Sequence, residues 1–110
     1  MVDGDVALGA IFHALAHPAR RDMLGRLSCV RLSVGDLAEP LDMSLAAAAK
    51  HVSVLERAGL LQRTVVGRKH MCRLDARPLA TAAEWISHYQ RHWSSRLDAL
   101  DDLLTQGERR

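Results

Sequence analysis

Apolar residues recur at helical spacing near the start of the chain, where Ala7, Ala10, Ile11 and Ala14 predict a helix over Val6–Leu15. His17-Pro18 interrupts that pattern, and Pro18 suits the first turn of a second helix, where its missing N–H is no loss. This second helix, Pro18–Leu27, has an apolar edge of Met23, Leu24 and Leu27, and Ser28–Leu32 reads as a connector. Ser33 is a good N-cap for a short third helix over Val34–Glu39, which Pro40 ends. After a turn at Leu41–Met43, Ser44 caps a fourth helix that runs to Ala58. It stops at Gly59, the residue type that accepts the left-handed conformation at a helix end.

The period then changes. Leu60–Val66 and Lys69–Leu74 are short, rich in β-branched residues at Thr64, Val65 and Val66, and separated by Gly67-Arg68, which predicts a hairpin. Pro78 opens a long last helix to Gln106, in which Leu79, Ile86, Trp93 and Leu100 are spaced by seven, with Leu97 and Leu104 in the same stripe. The predicted fold is mainly α with a small β-hairpin: five helices plus a two-stranded wing in one domain over residues 1–110. Its element order is that of a winged helix-turn-helix, with the helix-turn-helix over 33–58 and the wing over 60–75.

On the fourth helix, at 100° per residue, Ala48, Val52 and Leu55 gather on one side, flanked by Leu45 and His51. Ala46, Lys50, Ser53 and Arg57 centre the other side. Small residues there let a backbone approach base edges, while Lys, Arg and Ser reach bases or phosphates. Net charge is only +2, which does not by itself indicate a polyanionic partner. Its distribution is more informative. Ser44–Asp75 holds six basic residues (Lys50, Arg57, Arg63, Arg68, Lys69, Arg73) against Glu56 and Asp75, whereas Leu97–Leu104 holds three Asp and no cation. The expected contacts to double-stranded DNA are Ser44, Ala46, Ala47, Lys50, His51, Ser53 and Arg57 on the helix and Arg68 and Lys69 on the wing. Arg20 and Arg21 join them at the start of the second helix, where backbone N–H groups favour phosphate. One of those two arginines has an alternative structural role, pairing with Asp22, Asp36 or Glu39.

His17–Leu24, Ser33–Ala38 and above all Ala46–Leu61, which ends Leu55-Glu56-Arg57-Ala58-Gly59-Leu60-Leu61, resemble the ArsR/SmtB family of winged helix-turn-helix repressors. Gly67-Arg68 followed by Met71-Cys72-Arg73-Leu74 is similar to that family's wing, and the likeness spans roughly residues 8–75. Ala49 stands where the family carries a Ser, and Met71 or Cys72 where it carries a Tyr, so relatives' operator sequences do not transfer. The resemblance implies a homodimeric repressor that occupies promoter DNA. Family metal sensors carry two Cys in the short third helix, but Ser33 and Gly35 occupy those positions here. Glu84, His88 and His92 share a face of the last helix at spacings of four, a weak metal candidate, and no cofactor is expected. Tyr89–Leu100 is instead similar to a branch of the family without recognised metal ligands.

A small domain has little core left to cover the apolar stripe of its last helix. The expected interface therefore joins the terminal helices, 5–16 and 78–106, of two copies through Ile11, Leu79, Ile86, Trp93, Leu97, Leu100 and Leu104. Cys29 and Cys72 form no CxxC or Cys/His cluster and read as reduced thiols of a cytoplasmic protein, with a regulatory disulfide as the alternative. No apolar run approaches the roughly 20 residues of a membrane span, and the acidic start of the chain does not resemble an export signal. No Gly-rich phosphate loop or nucleophile motif suggests an enzyme. The competing readings are a metal- or thiol-responsive repressor of the same family and a winged-helix module for protein contact.

Overall fold

The computed structural model describes residues 2–108, with side chains described over 6–107. Helix α1 (Val2–Leu15) is followed by α2 (Pro18–Arg26), strand β1 (Leu32–Ser33) and α3 (Val34–Ala38). A single 3₁₀ turn (Glu39–Leu41) leads to α4 (Leu45–Arg57), the hairpin β2 (Leu61–Val66) and β3 (Lys69–Leu74), and α5 (Arg77–Glu108). The five predicted helices are all present, each within a few residues of its expected ends. Pro40 does not end α3 abruptly but sits inside the 3₁₀ turn. Asp42 then closes that turn with φ +49°, a left-handed conformation that Asp tolerates.

The wing differs from expectation. It is not a two-stranded ribbon but a three-stranded antiparallel sheet in the order β1-β3-β2. Sequence alone marks Leu32 as connector and Ser33 as a helix cap, because two residues show no periodicity. This segment becomes a strand only by pairing with the end of the chain's hairpin, Leu32 with Cys72 and Ser33 with Met71. Ser33 then turns straight into α3 through a reciprocal cap: its hydroxyl accepts from the Asp36 amide, and the Asp36 carboxylate accepts from the Ser33 amide, both at 3.1 Å. Those bonds hold the Asp36 carboxyl below the usual carboxylate range.

Local chemistry sets the two ends of α4. Ser44 Oγ accepts from the Ala47 amide at 3.1 Å. At the other end Gly59 adopts φ +78°, and the amides of Gly59 and Leu60 return to the carbonyls of Glu56 and Leu55. A β-carbon on Gly59 would also lie 3.4 Å from Pro78 Cγ, so this glycine brings the end of α4 against the start of α5. At the hairpin tip Gly67 has φ +63° while Arg68 keeps a negative φ, the pattern of a type II′ turn that suits strand twist.

The core draws on every element before α5. Met23, Leu37, Val52, Leu55, Leu60, Leu61 and Cys72 are fully buried, with Ile11, Ala14 and Ala48 beside them. α5 adds Ala82 to this cluster, with Leu79 packed against it, and then leaves it. At about 1.5 Å per residue its 32 residues span roughly 48 Å. Ile86, Trp93, Leu97, Leu100, Leu103 and Leu104 are all exposed along it. Ile11, expected at a dimer interface, is 3% exposed and belongs to the protomer's own core, because α1 lies across the rest of the domain rather than outside it.

Candidate nucleic-acid interface

The α4 surface divides as its spacing predicts. Ala48, Val52 and Leu55 are buried, and Ala46, Lys50 and Arg57 face solvent with Ser53 half-buried between them. Ala49, Lys50, Ser53, Val54 and Arg57 line a shallow depression of about 330 Å³ on that outer side. Leu45, expected to flank the buried side, is instead 63% exposed at the mouth of the helix. Ala47 is half-buried, and the exposed Ser44 spends its hydroxyl on the cap. Arg68 and Lys69 are exposed at the wing tip, beside the turn that Gly67 makes.

Charge on this side is largely unneutralised. The ion pairs among the described residues are Arg26–Asp22, Arg63–Glu56 at 2.7 Å and Arg77–Asp75 at 2.5 Å. Of the six cations between Ser44 and Asp75, Arg63 alone is in an ion pair; it ties β2 to the end of α4. The Arg63 guanidinium holds the Glu56 carboxyl below its ordinary value, and Arg77 does the same, more strongly, to Asp75. Lys50, Arg57, Arg68 and Lys69 have no carboxylate within ion-pair distance among the described residues.

Arg20 does not belong to this surface. It is 8% exposed, and its guanidinium donates to the carbonyls of Ala14 at 2.7 Å and His13 at 2.9 Å. Arg21, although exposed, donates to the Leu15 carbonyl at 2.8 Å. These are end carbonyls of α1, which lack partners inside their own helix and sit at the negative end of its dipole. The arginine pair therefore serves the C-terminus of the preceding helix before any phosphate at the start of α2. The ion pair with Asp22 belongs to Arg26, which also donates to the carbonyls of Asp36 and Leu37.

His51 also turns inward. Its Nδ1 lies 3.2 Å from Arg20 Nη1, and its ring packs on His17 with centroids 4.5 Å apart. Arg20 can only donate, so Nδ1 accepts and the ring is neutral. Burial, with His17 and Arg20 beside it, pushes the His51 imidazole below its ordinary value. Arg31 belongs to no motif along the chain and lies one residue before β1, whose partner strand carries Arg73. Only sheet register brings them together.

The metal candidates gain little. Glu84 and His88 border one shallow depression with Leu8, Thr81, Trp85 and Arg91, whose cation disfavours a metal, and His92 does not line it. No three His, Cys, Asp or Glu side chains among the described residues form a metal-holding group. Cys29 is exposed, whereas burial raises the Cys72 thiol and keeps it protonated. No helix among the described residues is long and apolar enough to cross a membrane.

The element order, with a capped α4 that is cationic on its outer side beside a basic wing, is that of a winged helix-turn-helix DNA-binding domain. A family profile described as a helix-turn-helix domain matches residues 15–64. The chain is 31% identical over 93 residues to the HTH-type transcriptional regulator Rv2034 of Mycobacterium tuberculosis, covering 84% of each chain. It shares 37% identity with the crystal structure of an ArsR family transcriptional regulator, RHA00566, at a TM-score of 0.78, covering 83% of this chain and 94% of that one. An ArsR-like transcriptional regulator from Rhodococcus sp. RHA1 superimposes with a TM-score of 0.81 at 28% identity, over 96% of this chain and 97% of that one. The chain belongs to the ArsR family of winged helix-turn-helix transcriptional regulators.

Proposed function

We propose that the protein is a homodimeric repressor that binds an inverted-repeat operator in double-stranded DNA. The observation that carries this reading is the outer side of α4: Lys50 and Arg57 exposed, Ala46 and Ser53 small between them, and no carboxylate paired to either cation among the described residues. Such a helix enters the major groove, with Lys50, Ser53 and Arg57 reading base edges and Ala46 and Ala47 permitting close approach. Arg68 and Lys69 lie along the phosphate backbone, with Arg21 as a further phosphate contact. Arg20 and His51 take no part in DNA contact.

The dimer follows from α5. Ile86, Trp93, Leu97, Leu100 and Leu104, each 45–61% exposed, form an apolar stripe, and a second copy of that stripe is its natural partner. A two-fold pair places two α4 helices about one DNA turn apart, which is what makes the operator an inverted repeat. Occupying such a site blocks transcription from it, and the place of action is the cytoplasm, beside the DNA.

The test is selection of bound sequences from random duplex DNA, followed by salt titration of the selected site. An inverted repeat with two half-sites about 10 base pairs apart is expected. Lys50→Ala and Arg57→Ala should each lose discrimination worth about 1–3 kcal/mol. Arg68→Ala should weaken all DNA alike and lower the salt slope by about one unit. A flat selection would rule the reading out, and so would an Arg68→Ala variant with unchanged affinity and slope.

A further inference from the structure

The outer face of the wing sheet carries an arrangement that DNA contact at the hairpin tip does not explain. Register puts Thr64 opposite Met71, Val66 opposite Lys69 and Gln62 opposite Arg73, so these side chains share one face. On the other side of β3, Ser33 pairs with Met71 and Leu32 with Cys72. The next residue back, Arg31, therefore falls opposite Arg73. Like charges directly opposite on a sheet destabilise it, and neither arginine has a carboxylate partner among the described residues. Asp36, whose carboxylate feels the charge of Lys69, is committed to the cap of α3.

These cations surround a hollow. Arg31, Thr64, Val66, Lys69, Met71 and Arg73 line a cavity of about 310 Å³. Its floor is apolar: Met71 is half-buried, and Val66 is 60% exposed beside it. The head of Arg73 is held in place by its hydrogen bond to Gln62 Oε1, and Gln62 in turn donates to Asp75 at 3.1 Å. A phosphate backbone needs the cations but gains nothing from the apolar floor. A small molecule that is anionic at one end and apolar at the other uses both.

We propose that this groove binds a small organic anion with an apolar body. Its carboxylate, or a comparable oxyanion, lies between Arg31, Arg73 and Lys69, and its hydrocarbon part lies over Thr64, Val66 and Met71. Planar guanidinium groups take a carboxylate by paired N–H···O bonds, and an anion between Arg31 and Arg73 turns their mutual repulsion into two attractions. The cavity is at the small end of ligand pockets, which fits one ring system or a short chain.

The full chain, free of DNA, is titrated with naphthalene-2-carboxylate, naphthalene-2-carboxamide and inorganic phosphate while backbone amide resonances are followed. The carboxylate should saturate and move the amides of β3 and Arg31. The carboxamide and phosphate should bind at least about tenfold more weakly, since each lacks one half of the recognition. Arg31→Gln and Arg73→Gln should each weaken the carboxylate about tenfold or more and leave thermal unfolding of the free protein unchanged or slightly raised. Equal binding of the carboxamide or of phosphate would overturn the proposal, as would unaltered carboxylate affinity in both variants. The Arg31→Gln, Arg73→Gln double variant should keep its affinity for duplex DNA. A loss of that affinity, with the salt slope reduced by about two units, would make the face a phosphate track and overturn it too.

Discussion

Arg20 and Lys50 are both cations on helices that flank the proposed DNA-facing side, yet they do opposite work. Lys50 projects from the middle of α4 into solvent, whereas Arg20 is drawn back over α1 by the carbonyls of Ala14 and His13 at that helix's end. Arg20→Met should therefore leave the buried Ala14 carbonyl unsatisfied, remove a second bond at His13, and destabilise the fold by about 2–3 kcal/mol. At roughly 4–8 °C per kcal/mol, thermal unfolding should show a drop of about 10 °C or more. Lys50→Ala should lose DNA discrimination with an unchanged melting curve. His51 adds a dependence on pH. Its folded-state value is depressed below 6.5, mainly by burial, so the unfolded chain takes up the extra proton first. The stability it contributes is full above 6.5 and declines as pH falls through the lowered value. Thermal midpoints of the wild type should drop over that window, and His51→Gln should flatten that part of the profile. An identical profile in the variant would remove His51 from the account. Spacing along the chain offers Arg20 and His51 as DNA contacts but does not show which way they turn, because a helical wheel knows nothing of the neighbouring helix.

Elements that carry their own start and stop signals were legible in one dimension. Ser44 and Gly59 bound α4 through backbone chemistry local to a few residues, and the cap at Ser33 with Asp36 does the same for α3. Ser44→Ala should cost about 1 kcal/mol in thermal or urea unfolding and fray the first turn of the recognition helix. The mutant should also bind operator more weakly than its stability alone predicts, since Ala46 and Ala47 belong to that turn. β1 had no such signal. Its strand character comes from residues some 40 positions away, Met71 and Cys72, and pairing of that kind leaves no mark in a window of two residues. The anion groove depends on the same long-range register, so its Arg31–Arg73 pairing is equally invisible along the chain.

Across the whole molecule, the longest dimension is 74 Å because α5 runs well past the core it starts from. The proposed dimer would cover the apolar stripe of this projecting helix, so the oligomeric state is the property to change. Leu97→Asp with Leu100→Asp should shift the protein from dimer to monomer by light scattering and abolish binding to a two-half-site operator. The folded core, whose nearest α5 contribution is Ala82, should remain intact by circular dichroism. A dimer that persists in this variant would place the interface elsewhere.

The sequence by itself determined what depends on near neighbours: five helices, the caps at Ser33 and Ser44, the stop at Gly59, the tight turn at Gly67, and the two-sided character of α4. Each of these is decided by spacing, by the conformational freedom of one residue, or by a hydrogen bond spanning three or four positions. Tertiary structure alone decided the rest. It put Ile11 in the core rather than at an interface, turned Arg20 and His51 inward, and added β1 to the wing. It also set Arg31 against Arg73 across a sheet. Burial and cross-strand register arise from contacts between distant segments, and no local pattern of apolar and polar residues encodes which segment will arrive.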